Sequence, residues 1–296
     1  MLSFIKSDEQ KSVNDHAAEP EALLLIHGLC SSPQELRPLI TRIEAAGFEV
    51  HAPAAPGGYG MEPHPGGALQ RYEDWVQYFG EYLEDLLSRR SRVSIGGLCM
   101  GTTLALELGA RFRERVHSLV LVSTTLFYDG WNVPRTRILL PLAYYTPLRR
   151  WMKYRETDPY GVKNTRLREW IAAQMRATGA STAGAAYLPV TAIYQARRLI
   201  HSVKRNLPKV VAPTLIMHAR EDDVSSLRSA NLVYSRISSP EMVKRVFDNS
   251  YHMLTLDNDR DAVAQTAVDF LSRSRRRASA VTALPADATR GGRRFA

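Results

Sequence analysis

Short apolar runs alternate with amphipathic stretches along most of the chain. Runs of three to five residues that are apolar or β-branched at nearly every position predict buried strands, and apolar residues at helical spacing between them predict helices. Continuous apolar strands separated by such helices indicate a mostly parallel sheet covered on both faces. The six predicted strands are Ala22–Ile26, Phe48–His51, Val93–Gly96, Leu119–Ser123, Thr214–His218 and Val243–Phe247, and the five predicted helices are Pro33–Ala46, Tyr72–Leu87, Thr102–Phe112, Leu227–Ile237 and Arg260–Ser272.

The alternation stops in one segment, residues 127–209, which has helical patterns and no convincing strand. Its position between two strands predicts a helical cap over the carboxyl edge of the sheet, where open α/β sheets bind their ligands. The predicted core therefore comprises residues 1–126 and 210–271. Residues 272–296 are basic and poor in apolar side chains, which predicts a disordered tail.

The formal net charge of +9 is unevenly distributed. The tail carries +6 and the predicted cap +11, whereas the predicted core and the N-terminus together carry −8. The tail has Phe295 as its one aromatic residue, so it offers no stacking platform, and we expect no nucleic-acid partner. A basic cap could attract phosphorylated carriers, namely coenzyme A or an acidic acyl-carrier protein, or could simply present solvated helix faces. The cations expected around the cleft are Arg135, Arg137, Arg149, Arg150, Lys153, Arg155, Arg166 and Arg168.

Targeting and cofactor signals are weak throughout the sequence. No apolar run approaches the roughly 18–20 residues of a membrane-spanning helix, and the N-terminus MLSFIKSDEQKS does not resemble a signal peptide. Two cysteines cannot form a disulfide framework, so we expect a cytoplasmic protein. The chain contains no H-E-x-x-H, C-x-x-C or dinucleotide fingerprint, and we therefore expect neither a metal nor an organic cofactor.

The pentapeptide Gly97-Leu98-Cys99-Met100-Gly101 lies between the third predicted strand and a helix. It has the G-x-S-x-G spacing of a nucleophile elbow, with cysteine in the serine position. The central residue of such a turn is strained, and side chains two positions away on either side would collide with backbone. The turn also places the sulfur at a helix N-terminus, which favours a thiolate. A phosphate loop requires Lys followed by Ser or Thr, but this chain has Thr102-Thr103.

The first strand ends in His27-Gly28, followed by a loop that begins at Leu29. Hydrolases with such an elbow take one oxyanion-hole amide from this loop and the other from the residue after the nucleophile. The candidate donors are thus the backbone N–H groups of Leu29 and Met100. The alternative is a turn in which glycine permits an unusual dihedral angle.

An acid and a base follow two later strands. Asp222 and Asp223 come after the strand Thr214–His218, and His252 follows the strand Val243–Phe247. Nucleophile, acid and then histidine is the chain order of α/β-hydrolases. In this chemistry histidine takes the proton of the nucleophile while a carboxylate holds its tautomer. We expect Asp222 to be the acid, with Asp223 as the alternative.

These residues give the chain a family resemblance over roughly residues 20–272. Leu24–Leu29, Gly97–Gly101, Ala219–Asp222, Ser229–Asn231 and Tyr251–Asp257 resemble the small bacterial carboxylesterases and monoacylglycerol lipases of the α/β-hydrolase superfamily. The resemblance implies an α/β-hydrolase fold, a triad of Cys99, Asp222 and His252, and an oxyanion hole at Leu29 and Met100. Those esterases use serine. In having cysteine at this position, the elbow is more similar to those of dienelactone hydrolases and polyhydroxyalkanoate synthases.

Cysteine changes the expected substrate. A tetrahedral adduct on Cys99 must expel either the enzyme thiolate, with parent pKa near 8.5, or an alkoxide, with parent pKa near 16. In a thioester or an activated lactone, the leaving group of the substrate departs about as readily as the enzyme thiolate, whereas the alkoxide of an ordinary ester does not. We therefore expect an acyl hydrolase acting on a carboxylic ester or thioester through a covalent Cys99 acyl-enzyme. The alternatives are an acyltransferase or thioesterase acting on acyl-coenzyme A or acyl-carrier protein, and a non-catalytic binding protein of the same fold.

One apolar stretch of the predicted cap, Ile138–Tyr145, is followed by Arg149-Arg150-Trp151. Such a sequence could touch an anionic membrane. We favour instead an apolar pocket for the acyl chain, because a cap must bury one face on substrate or core.

Overall fold

The computed structural model of the protein describes residues 21–62 and 67–282. Ten strands lie within this part of the chain, six of them in one sheet. The strands are β1 (Ala22–Ile26), β2 (Glu49–His51), β3 (Val93–Leu98), β4 (Leu119–Val122), β5 (Lys153–Arg155), β6 (Ala180–Ser181), β7 (Gly184–Ala185), β8 (Tyr187–Pro189), β9 (Thr214–Ala219) and β10 (Met242–Phe247). The helices are α1 (Arg37–Ala45), α2 (Tyr72–Arg89), α3 (Met100–Phe112), α4 (Leu140–Tyr144), α5 (Thr165–Thr178), α6 (Val190–Asn206), α7 (Leu227–Arg236) and α8 (Arg260–Thr282).

The main sheet has the strand order β10-β9-β4-β3-β1-β2, and all of its pairs are parallel. All six predicted strands are present, with ends that differ by at most two residues. Strand β1 is fully buried and shows why the runs are apolar throughout. Leu24 packs in a core cluster with α2, α3 and α6, whereas Leu23 and Leu25 pack in a second cluster with α1 and α8. The sheet is therefore covered on both faces, as the sequence predicts.

The order of the strands locates a crevice. After β1 the chain adds β2 on one side and then β3 on the other, so the winding direction reverses between β1 and β3. Open α/β sheets bind ligands at the carboxyl ends of strands at such a switch point. The segments that leave these ends begin at His27 after β1 and at Cys99 after β3.

The insertion between β4 and β9 differs in part from its prediction. It contains α4, α5 and α6, but also two antiparallel pairs, β5 with β8 and β6 with β7. These strands are two or three residues long, too short to produce an alternating pattern in the sequence. The insertion is thus mainly helical, and the two short strand pairs are an addition that the sequence did not predict.

Two further expectations need correction. Helix α8 continues to Thr282, so residues 272–282 of the predicted disordered tail are helical, and the rest of that tail lies outside the described residues. The side chains of Ile138, Leu142, Tyr145 and Trp151 are 70–78% exposed, so these four do not line an apolar pocket. Among the large side chains of this stretch, Tyr144 is buried.

Candidate active site

Cys99 occupies a strained turn between β3 and α3. Its backbone angles are φ 56° and ψ −118°, a conformation that non-glycine residues rarely adopt. The residue is half-buried. The Thr125 hydroxyl lies 3.6 Å from Sγ and can donate to it. Strain of this kind is characteristic of functional turns, in which the surrounding structure fixes one side chain in place.

The two glycines that flank this turn have no room for a side chain. A Cβ on Gly97 would lie 2.6 Å from the carbonyl oxygen of Ile26 and 2.6 Å from the carbonyl carbon of Gly101. A Cβ on Gly101 would overlap the Ile26 carbonyl and lie 2.8 Å from the carbonyl oxygen of His27. The collisions expected from the sequence therefore occur, and they involve the end of β1 as well as the turn itself.

The amides of Leu29 and Met100 donate no hydrogen bond to any residue in the described parts of the chain. Gly28, which precedes Leu29, lies beside the turn, since a Cβ on Gly28 would be 3.5 Å from Cys99 Cβ. The loop is held by the buried carboxyl of Glu35, which accepts hydrogen bonds from the Gly28 N–H and the Ser31 hydroxyl. The amides of Leu29, on this loop, and Met100, the residue after Cys99, are thus without an acceptor among the described residues.

His252 and Asp222 form a hydrogen-bonded pair. The Nδ1 atom of His252 is 2.8 and 2.9 Å from the two carboxylate oxygens of Asp222. Asp222 Oδ1 also accepts hydrogen bonds from the backbone amides of Val224 at 2.9 Å and Ser225 at 2.7 Å. The Nε2 atom of His252 is buried and has no hydrogen-bond partner among the described residues. That nitrogen is therefore the ring atom left to exchange a proton with a neighbour.

The pKa values of this pair are shifted in opposite directions. Burial alone would lower the pKa of His252, but the charges of Asp222 and Cys99 outweigh burial and raise it well above the ordinary value. Burial likewise would raise the pKa of Asp222, yet the charge of His252 holds it below the usual range. The raised pKa of the imidazole thus stabilises its protonated form beside Asp222.

Asp223 has a different role from its neighbour. Its carboxylate accepts hydrogen bonds from two backbone amides at 3.2 Å, one of His252 and one of Gly161 in the insertion. The hydroxyl of Ser123 donates to the carbonyl of His252 at 2.6 Å. These contacts fix the backbone that carries the imidazole, whereas the imidazole itself contacts Asp222.

Two buried carboxyls near the site were missed by the sequence reasoning. Burial raises the pKa of Glu35 to about 7, and burial together with the charge of Asp223 raises the pKa of Glu156 to about 7. The charge of His252 acts on both groups in the opposite direction. Glu35 lies in an exposed-looking Gln-Glu-Leu sequence and Glu156 in the basic insertion, so neither had a pattern that marked it.

The insertion contacts three loops at the carboxyl edge of the sheet, those that follow β1, β9 and β10. The Ala185 amide donates to the Cys30 carbonyl at 2.9 Å, and the Met253 amide donates to the Gly161 carbonyl at 2.8 Å. The indole N–H of Trp131 donates to the carbonyl of Glu221 at 2.9 Å. Residues 127–209 therefore reach the carboxyl edge of the sheet on which Cys99 and His252 lie.

Other features bear on what the site could hold. In the described part of the chain, no three His, Cys, Asp or Glu side chains are grouped so that they could bind a metal ion. Every helix there is too short or too polar to span a bilayer. Cys30 is a buried free thiol, and burial with the charge of Glu156 raises its pKa to about 12. Of the two cysteines, Cys99 is the less buried.

The chain is similar to known hydrolases over most of its length. It is 25% identical over 256 residues to a thermostable monoacylglycerol lipase of Bacillus sp. (strain H-257), covering 86% of this chain and 91% of that protein. It is 24% identical over 258 residues to a carboxylesterase of Bacillus subtilis (strain 168), covering 86% and 93%. A solved structure from work on the metagenome-derived lipolytic enzymes LipS and LipT superposes with a TM-score of 0.69 at 25% identity, covering 85% and 93%.

A family comparison agrees with this likeness and with the sheet topology. Residues 18–259 match the family model described as serine aminopeptidase, S33. This range spans the main sheet, the insertion and the three loops that carry Cys99, Asp222 and His252. The chain therefore belongs to the serine aminopeptidase S33 family and has the α/β-hydrolase fold.

Proposed function

We propose that this protein is an acyl hydrolase that cleaves a carboxylic ester through a covalent thioester on Cys99. The observation that carries the proposal is the pairing of His252 with Asp222 beside a strained, accessible Cys99. Its relatives include a monoacylglycerol lipase and a carboxylesterase, which supports an ester with one acyl chain as the substrate.

In the first step the Cys99 sulfur attacks the acyl carbonyl carbon, and its proton resides on His252 Nε2. The raised pKa of His252 favours the imidazole as the group that holds this proton. The carbonyl oxygen becomes an oxyanion that accepts hydrogen bonds from the amides of Leu29 and Met100. The C–O bond of the ester then breaks, and His252 gives its proton to the departing alkoxide.

In the second step water releases the acyl group. Neutral His252 removes a proton from water, the hydroxide attacks the thioester carbon, and the C–S bond breaks. The products are a carboxylic acid and free Cys99. Asp222 stabilises the imidazolium in both steps and keeps Nε2 directed away from the carboxylate. Efficient protonation of the alcohol is essential here, because a thiolate is the better leaving group.

In this proposal residues 127–209 form a cap over the site. Glu156 and Tyr128 of this segment interact electrostatically with groups of the site, Glu156 with His252 and Tyr128 with Cys99. Such a cap excludes water from the reacting atoms, which strengthens each electrostatic interaction between them.

A substrate panel tests this function. We expect the purified protein to hydrolyse p-nitrophenyl esters and monoacylglycerols, and Cys99→Ala to abolish turnover. Iodoacetamide at neutral pH should alkylate Cys99 faster than a free thiol, and the buried Cys30 serves as the internal unreactive control. A Cys99→Ala variant with unchanged turnover would contradict the proposal. A wild-type protein that hydrolyses no member of the panel and whose Cys99 is alkylated no faster than a free thiol would favour a non-catalytic binding protein of this fold.

A second candidate function is thioester hydrolysis or acyl transfer with coenzyme A or an acyl-carrier protein. It is favoured by the cysteine, whose thiolate matches a thiol leaving group, and by the charge of +11 on residues 127–209. If this candidate holds, kcat/KM for an acyl-coenzyme A should fall several-fold when salt rises from about 20 to 200 mM, since screening weakens steering. A preference for a neutral ester that salt does not affect would exclude the carrier.

A further inference from the structure

The insertion exposes an unusual set of large apolar side chains. Ile138 is 78% exposed, Leu142 70%, Tyr145 72%, Trp151 73% and Met152 42%. We call these five residues the apolar patch. Single exposed apolar side chains are common, but a cluster within fifteen residues of sequence marks an interaction surface.

Three residues of the patch lie in or beside α4. In the run from Ile138 to Tyr145, Ile138 is in the 3-10 turn that precedes α4, Leu142 is within α4 and Tyr145 directly follows it, and all three side chains are exposed. The buried residue of this run, Tyr144, packs its ring 5.5 Å from that of Tyr194 on α6. The run is thus anchored to α6 through Tyr144 while the patch faces outward.

The charge around the patch has one sign. Residues 131–155 contain six Lys or Arg and no Asp or Glu. Of these cations Arg137, Arg150, Lys153 and Arg155 are exposed. The positive charge continues onto α6, where a cleft of about 500 Å³ is lined by Tyr145 of the patch and by Arg197, His201 and Arg205, with no acidic residue in its lining.

The patch belongs to the same insertion that contacts the loops of the site. In that insertion the Ala185 amide donates to the Cys30 carbonyl at 2.9 Å, and the Gly161 carbonyl accepts from the Met253 amide at 2.8 Å. A lipid surface bound at the patch would therefore lie on the segment that reaches the carboxyl edge of the sheet.

We propose that the apolar patch and its surrounding cations dock the protein on an anionic lipid surface. Apolar and aromatic side chains among Lys and Arg, without acids, are the composition of segments that lie in a membrane interface. The proposal rests on the proposed function for its purpose, because single-chain acyl esters partition into lipid surfaces. Docking presents the site to substrate in the lipid. An acidic carrier protein would use the cations but leave five apolar side chains in water.

Vesicle binding tests the proposal. The full-length protein is sedimented with vesicles of phosphatidylcholine alone or with about 30% phosphatidylglycerol, and we expect binding to the anionic vesicles that weakens with salt. Leu142→Ser and Trp151→Ser should each weaken it at least tenfold, since each removes a side chain buried in lipid. Arg137→Gln and Arg150→Gln should each weaken it about fivefold. The matched controls on α7, Tyr234→Ser and Arg236→Gln, should leave binding unchanged.

Three results would overturn docking on lipid: no binding to anionic vesicles, equal losses in the control variants, or losses from the arginine variants alone. The last result would indicate an acidic protein partner. The four patch variants should hydrolyse a water-soluble short-chain ester at the wild-type rate. If the wild-type protein binds vesicles but hydrolyses no ester, the proposed function fails while the docking surface stands. If it hydrolyses soluble esters but binds no vesicle, the docking surface fails alone.

Discussion

Two adjacent aspartates, Asp222 and Asp223, have different contacts although they are neighbours in the sequence. The carboxylate of Asp222 contacts the imidazole of His252, whereas that of Asp223 contacts backbone amides. Burial raises the pKa of Asp223, whereas the charge of His252 holds that of Asp222 low. The two carboxylates should therefore respond differently to the same substitution.

Asp222→Asn should lower kcat by at least roughly 100-fold, and Asp223→Asn by much less. The corresponding change in a serine triad costs about 10⁴ because the imidazole takes the wrong tautomer. The measurement is steady-state hydrolysis of one p-nitrophenyl ester by both variants, with circular dichroism to check folding. Equal losses in two folded variants would contradict the assignment of Asp222 as the partner of His252.

Glu35 should make stability depend on pH. Its pKa is raised from 4.5 to about 7, so the folded protein holds this proton more tightly than the unfolded chain. The resulting stabilisation is complete below pH 4.5 and is lost as pH rises to about 7; its size is about 3 kcal/mol. Glu35→Gln keeps the acceptor for the Gly28 amide and removes the titration.

Urea unfolding of the wild type and of Glu35→Gln between pH 4.5 and 8 measures this effect. The wild type should lose more free energy of unfolding across this range than the variant does. Glu156 contributes in both proteins, and the comparison removes its effect. Parallel curves would show that Glu35 does not titrate as its burial implies.

The sequence predicted those residues whose position follows a strand end. Cys99, Asp222 and His252 each come directly after an apolar run, and parallel strands bring such residues to one edge. Glu35 and Glu156 could not be found in this way. Each becomes a neighbour of the site through tertiary contacts: Glu35 through the loop that it holds, and Glu156 through the insertion.

At the scale of elements, the turn between β3 and α3 depends on its close approach to β1. The backbone of Gly101 touches the end of β1, and helix α3 begins at Met100 with its N-terminus at Cys99. The turn is therefore held by the sheet as much as by its own sequence. A side chain added at this point should strain the sheet and the site together.

Gly101→Ala should lower the free energy of unfolding by roughly 3 kcal/mol or prevent folding, because its Cβ overlaps the carbonyl of Ile26. Gly80→Ala in α2 is the matched control. Its Cβ would meet Leu108 at an ordinary contact distance of 3.6 Å, so this variant should be neutral or up to about 1 kcal/mol more stable. Urea unfolding measures both. A tolerated Gly101→Ala would contradict the close approach.

The elements that the sequence predicted are those with long, regular patterns. Of the six strands of the sheet, β1, β3, β4 and β9 are buried along their whole length, whereas β2 and β10 are partly buried. Strand β10 is the least buried of these, with Lys244 and Arg245 exposed, yet the apolar residues at its two ends were enough to predict it. Strands β6 and β7 have two residues each, and only their contacts define them.

At the scale of the whole molecule, the +11 of residues 127–209 lies on the segment that reaches the active site. The sequence predicted the position of this charge, but it did not predict that apolar residues of the same segment are exposed. It expected them to face an acyl pocket, whereas Ile138, Leu142, Tyr145 and Trp151 face outward. Periodicity identifies an apolar face of a helix without identifying what covers that face.

The account depends on a covalent bond between substrate and Cys99, and the most direct measurement is intact-protein mass spectrometry after rapid mixing with an activated acyl ester. We predict a mass increase equal to one acyl group, mapped by peptide analysis to Cys99, absent in Cys99→Ala and discharged by hydroxylamine. Two results would contradict a covalent intermediate on Cys99. One is an acyl group found on another residue, and the other is turnover that leaves no adduct and continues in Cys99→Ala.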